Sequence, residues 1–238
     1  MNRNQLQLGR AGGSSLTTMQ QRIGSANFCK WHVTSGQWYD TVRLSAAGTN
    51  RLQFFQLPIG TADPTSGLAK TLEQTNLTRQ GSFGQTYMVA ESIRVIATVV
   101  PKIRQNAEIS GDALMITSMQ PAVRLLTAMY SMGVMTVKLG SKDYFEIDQP
   151  LRTCPAGFGL SINTIPAPLT ATTEWVQSNP SDKSIFRLTP VQMIEPEQTI
   201  SVDLSFPNAN TPDFNALADT PSIDIRVIFD GKIARPAQ

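Results

Sequence analysis

The chain of 238 residues contains a single histidine, His32. That scarcity removes most arrangements by which side chains do chemistry. A Ser-His-Asp or Cys-His nucleophile system would have to run through this one imidazole, which sits in the N-terminal region. A histidine-ligated metal barrel needs several imidazoles and is excluded. Cys29 and His32 have metal-like spacing, but a closed zinc site needs about four ligands, and no second pair exists in the sequence. With only two cysteines, Cys29 and Cys154, a disulfide framework is not expected; reduced thiols packed among apolar neighbours are. Charge is also scarce. Charged residues make up 16% of the chain, against the usual quarter. Met1 to Arg10 lacks an apolar run, so no secretory signal is expected.

Phosphate-binding glycine motifs and a nucleophile elbow are missing as well. "GRAGG" and "GSFG" have the wrong spacing and context, and read as hinges. Glu195 and Glu197 flank Pro196 two residues apart. Paired carboxylates can cleave glycosides, but these precede a strand in a proline-bearing turn, where solvated acids are common. No cofactor and no metal is expected, and the chain does not read as an enzyme.

What fills the space is Thr, Ser, Gln, Asn and Pro, a composition suited to β-structure with many turns. The net charge of +2 hides an asymmetry. Residues 1–51 carry Arg3, Arg10, Arg22, Lys30, Arg43 and Arg51 against the single acid Asp40, whereas the rest of the chain is mildly acidic. A basic N-terminal segment suits contact with nucleic acid, an anionic membrane or an acidic neighbour. Residues 1–35, rich in Gly, Ser, Thr and Gln, read as a flexible, partly helical arm that orders against something else. Residues 36–238 form the expected globular domain.

That domain reads as strands. "RLQFFQLPIG" is a strand stopped by Pro58. Thr86–Val100 is a long strand dense in β-branched residues. "VMTVKLGSKDYFEI" is a hairpin around Gly140-Ser141-Lys142. Further strands fit Gly159–Asn163, Thr172–Gln177 and Ser184–Met193. In "EPEQTISVDLSFPN", Ile200, Val202, Leu204 and Phe206 point one way while Thr199, Ser201, Asp203 and Ser205 point the other. Asp230-Gly231, near the end of the last long strand, is a tight-hairpin signal. The count is about ten strands, which predicts a β-sandwich and not a βαβ fold.

Two segments stand apart. Residues 61–84 carry turn residues throughout, with one possible helical turn at Leu68–Glu73. A loop of this length is expected to be functional or to pack on a neighbour. Residues 113–137 are apolar with one charge, Arg124, but Pro121, Gln120 and Arg124 near the centre argue against a membrane span. The expected parse is a short helix with Pro121 in its first turn and Gly133 past its end. Met119, Met129 and Met132 belong to a methionine-rich run whose ordinary reading is core packing of this helix, and which is also a candidate interface because Met adapts to irregular contacts.

"TPVQMIEPEQTISVDLSFPN", "PSIDIRVIFDGKIARPAQ" and "LGSKDYFEIDQPLRTCPAGFG" together resemble, in pattern and order, the jelly-roll major capsid proteins of tailless icosahedral bacterial viruses. The resemblance spans roughly residues 80–238. It implies a jelly-roll β-sandwich that self-assembles into capsomers of an icosahedral shell, made in the host cytoplasm and located in the virion. Other capsid proteins, an internal viral membrane and the genome are the further partners it implies, the last two through the basic arm. The strand count favours a single jelly roll with one short helical insertion; a compact double jelly roll is the alternative. Within this reading Leu6–Lys30 is the assembly arm, with Arg3, Arg10, Arg22 and Lys30 its contact residues, and Pro58–Gly84 is a lateral contact. The competing reading is a β-sandwich binding module, such as a virion spike or a carbohydrate- or receptor-binding protein.

Overall fold

In the computed structural model the described residues are 15–24, 31–44, 49–100, 133–148, 160–164, 174–178, 185–206 and 222–236. They form one helix and ten strands. The helix is α1 (Ser15–Ile23). The strands are β1 (Trp31–Arg43), β2 (Arg51–Phe54), β3 (Tyr87–Val100), β4 (Val134–Leu139), β5 (Lys142–Asp148), β6 (Leu160–Thr164), β7 (Glu174–Ser178), β8 (Phe186–Ile194), β9 (Ile200–Ser205) and β10 (Ser222–Pro236).

Eight of these strands make an all-β sandwich of two antiparallel sheets, in the orders β1-β10-β3-β8 and β2-β9-β4-β5; β6 and β7 pair separately. The period-2 pattern assigns the faces. In β9 and just beyond it, Ile200, Val202, Leu204 and Phe206 are buried as expected, and β4 alternates likewise through Met135, Val137 and Leu139. Facing them from the other sheet are Trp38, Ile93, Val95, Ile225, Val227 and Phe229, and the two sets form one continuous core. Phe83 stacks on Trp38 with centroids 4.4 Å apart and meets Phe55 edge-on, so aromatic area closes one end of the core.

Strand pairing along the chain is nested: β1 with β10, β2 with β9, β3 with β8, and β4 with β5 are all antiparallel neighbours. The Gly140-Ser141 hairpin falls where the sequence places it, with Gly140 at φ 65°. β2 ends earlier than expected. Phe55 turns to φ 63°, so the strand stops three residues before Pro58 could stop it.

Asp230-Gly231 corrects an expectation. It is no hairpin: β10 runs through it to Pro236, keeping β1 in unbroken register. The irregularity lies on the other side, a bulge against β3 between Asp230 and Gly231. A β-carbon on Gly231 would sit 1.9 Å from the Val89 carbonyl oxygen. The glycine therefore serves close backbone approach, not a turn.

α1 lies on the outer face of the first sheet. Met19 and Ile23 share one stripe of the helix. Met19 is fully buried against Val89 and Ala234, with Ile23, Trp31, Val33, Tyr87, Val191 and Met193 around them. Gly24, at φ 84°, ends the helix by donating its N–H to Gln20 O at 3.1 Å. β1 thus begins at Trp31, within the range read as arm. The helix expected after Pro121 lies outside the described residues, and no described helix is long and apolar enough to cross a membrane.

Candidate interaction surface

The long segment between β2 and β3 is a built platform. Its own backbone bonds hold it: Ile59 N–H to Leu77 O at 2.9 Å, Gly60 N–H to Lys70 O at 2.9 Å, and Lys70 N–H to Thr61 O at 2.9 Å. Asp63 Oδ1 accepts from the N–H groups of Thr65 and Ser66 at 2.7 and 3.2 Å, which fixes the tip. In place of the expected helical turn at Leu68–Glu73 there is a single turn in which Gln74 and Thr75 N–H both reach Thr71 O at 3.0 Å.

The root of the platform is a buried ion pair. Lys70 Nζ donates to Asp40 Oδ1 at 2.7 Å and to Thr41 O at 2.8 Å, and both charged side chains are 1% exposed. The other carboxylate oxygen, Asp40 Oδ2, accepts from Phe55 N–H at 2.6 Å. Burial pushes the Asp40 carboxyl above the ordinary aspartate value, and Lys70 only partly offsets this. Removing one partner of such a pair would strand the other charge in apolar surroundings, so loop and strand are held together.

The platform also closes the edge of β1. Asn76 accepts Tyr39 N–H on Oδ1 at 2.9 Å and donates from Nδ2 to Gln37 O at 2.8 Å. Arg226 from β10 lies over the Tyr39 ring, bonds Thr41 Oγ1 at 2.9 Å and donates to Glu73 O. Yet the same segment also carries Ile59, Leu68 and Leu72, which are 42%, 68% and 63% exposed. They are the exposed large hydrophobics among the described residues. Exposed apolar side chains on a hydrogen-bonded segment make it the candidate interaction surface. Gln56, Gln80 and Gly81 of the same segment, with Gly140, Thr199, Ile200 and Ser201, line an open hollow of about 320 Å³ whose lining holds no titratable side chain.

Of the residues singled out in the sequence, Arg3, Arg10, Lys30, Met119, Met129 and Met132 lie outside the described residues, as do Cys29 and Cys154. Arg22 falls in the last turn of α1. His32 is exposed on β1. Glu197 forms an ion pair with Arg79 at 2.9 Å, with both side chains more than half exposed, which suits a solvated turn. No cluster of three His, Cys, Asp or Glu side chains converges among the described residues. The Asp40–Lys70 pair was not anticipated. One signal for it existed: Asp40 shares the inward phase of β1 with Trp38 and Val42, which are both packed with the core, so a carboxylate there demanded a partner.

No family model matches the chain, and neither the curated proteins nor the solved structures contain a significant match.

Proposed function

We propose that the chain is a self-assembling viral shell protein, a single jelly roll that builds capsomers of an icosahedral capsid and works structurally, not catalytically. The nested pairing supports the jelly-roll assignment: β1·β10, β2·β9, β3·β8 and β4·β5 are what one long antiparallel hairpin leaves when it is wrapped into two sheets. β6 and β7 are then an excursion in the connection from β5 to β8. The proposed location is the virion, with basic residues of the N-terminal segment turned to genome, membrane or a second capsid protein.

The observation that carries the reading is the platform at residues 58–84. It is anchored by a buried ion pair and presents Ile59, Leu68 and Leu72 to solvent. Three large apolar side chains left in water on a hydrogen-bonded segment suit a subunit whose neighbours cover them.

The test is the native mass of the purified full-length chain, with electron micrographs of the same sample. Capsomers, curved sheets or shells are expected, and Leu68→Asp with Leu72→Asp should abolish them. A chain that stays monomeric at millimolar concentration would sink the reading in favour of a binding module. Deleting residues 1–14 tests the arm cleanly, since α1 and its packing on the sheet remain.

A further inference from the structure

The edge of β1 has two unequal halves. The C=O groups of Gln37, Tyr39 and Thr41 point away from β10 and are taken by Asn76, Thr75 and Lys70. The β1–β10 register is unbroken from Trp31 to Arg43. The same phase therefore turns the N–H and C=O groups of Trp31, Val33 and Ser35 to the open edge. Among the described residues, no group bonds to them. An unpaired row of this kind is a template for another strand.

The opposite edge of the same sheet is guarded: β8 carries Pro190, which has no N–H, and the exposed Arg187. Residues 31–36, "WHVTSG", contain no Lys, Arg, Asp, Glu or Pro. We infer that this half-edge pairs with the same segment of a second copy of the chain, antiparallel about a twofold axis at Val33.

The register follows from the geometry. Pairing Val33 with Val33 of the copy sets Trp31 opposite Ser35 and Ser35 opposite Trp31. Every edge-facing group of the bare half is then satisfied, and the ladder stops where Gln37 O is already bonded to Asn76. His32 faces Thr34, so no like charges meet. Val33 and Trp31, beside Tyr87 on the α1 face, would continue as one apolar strip across the twofold. A strand edge that is complementary to itself in this way makes an isologous contact, which closes as a dimer. The pairing does not depend on the shell reading.

The test uses the full chain with Cys29→Ser and Cys154→Ser. Val33→Cys should oxidise to a covalent dimer, because directly opposed residues bring their Cα atoms to about 5.5 Å, within disulfide reach. Thr34→Cys should not, since its copies stand on a diagonal about 7–8 Å apart. In the native-cysteine chain, Ser35→Pro deletes an edge donor and leaves the β1–β10 backbone ladder intact, and Ser35→Ala is its control for the lost Lys232 Nζ–Ser35 Oγ bond. Ser35→Pro should raise the dimer dissociation constant by about thirtyfold, as two symmetric hydrogen bonds are lost. Circular dichroism establishes folding of each variant. A folded Val33→Cys protein that fails to cross-link, equal cross-linking at 33 and 34, or an unchanged dissociation constant for Ser35→Pro would overturn the inference. If shells form without cross-linking at Val33, the strand pairing falls and the shell reading stands; if the dimer forms without shells, the reverse holds.

Discussion

Strand β1 belongs to two different environments along its length. From Gln37 to Arg43 it is an interior strand in all but name: β10 covers one side, and the platform covers the other through Asn76, Thr75 and the buried Lys70. From Trp31 to Gly36 it has β10 on one side, no hydrogen-bonded partner among the described residues on the other, and α1 beneath its outer face. The first half is fastened by polar groups that cannot be left unpaired. The second is held by apolar contact with a short helix. Polar fastening is strong and brittle, since losing one member costs the desolvation of the other. Apolar fastening is weaker and graded.

The largest break comes from Lys70→Met, which leaves Asp40 buried without its cation. Destabilisation of about 3–5 kcal/mol is expected in urea unfolding, with the loop loosened from β1. Adding Asp40→Asn should recover much of that loss, because Asn can still accept the Phe55 N–H. No recovery in the double variant would mean that the pair is not the fastening.

Met19→Ala attacks the other half. It should cost about 2 kcal/mol, the low end for a buried Met in a small cluster. Amide exchange should rise at Val89 and Ala234 while Tyr39 stays protected. Equal loosening in both halves would erase the distinction drawn between them.

A smaller effect is electrostatic. The folded Asp40 carboxyl binds its proton more tightly than the ordinary value of 3.8. Between that value and the folded one, the native state holds more protons than the unfolded state. This contribution to stability is therefore full below about 3.8 and is lost as pH rises through the folded value. Subtracting the pH profile of Asp40→Asn from that of the native chain should reveal a downward slope with rising pH. An upward slope would mean that Lys70 outweighs desolvation.

The smallest effect on folding is expected at Leu68 and Leu72. Replacing each by Asp should change monomer stability by less than about 0.5 kcal/mol, while association measured by sedimentation is lost. A large stability change would place these side chains in the core of the fold and not on its outer surface.

The alternation of β4 and β9, the β-branched run of β3 and the glycine at 140 were legible because each depends on neighbours one or two residues away. The platform was legible as a long, turn-rich segment expected to act, but its fastening was not. Lys70 looks like any solvent lysine in "SGLAKTLEQ", and its partner is thirty residues distant. Asp230-Gly231 was misread for a similar reason: the dipeptide that makes a hairpin when the chain turns is also the one that tolerates a carbonyl at contact distance when it does not. Local choice cannot distinguish the two, because the deciding atom, Val89 O, comes from another strand.

By itself, then, the sequence determined an all-β chain, the faces its strands bury and its scarcity of histidine and charge, since composition and period-2 patterning act residue by residue. Which part of a strand edge the platform covers, and where a buried lysine finds its carboxylate, was decided only when distant strands were brought side by side. Hydrogen bonds and ion pairs depend on positions in space, and position is what the tertiary structure supplies.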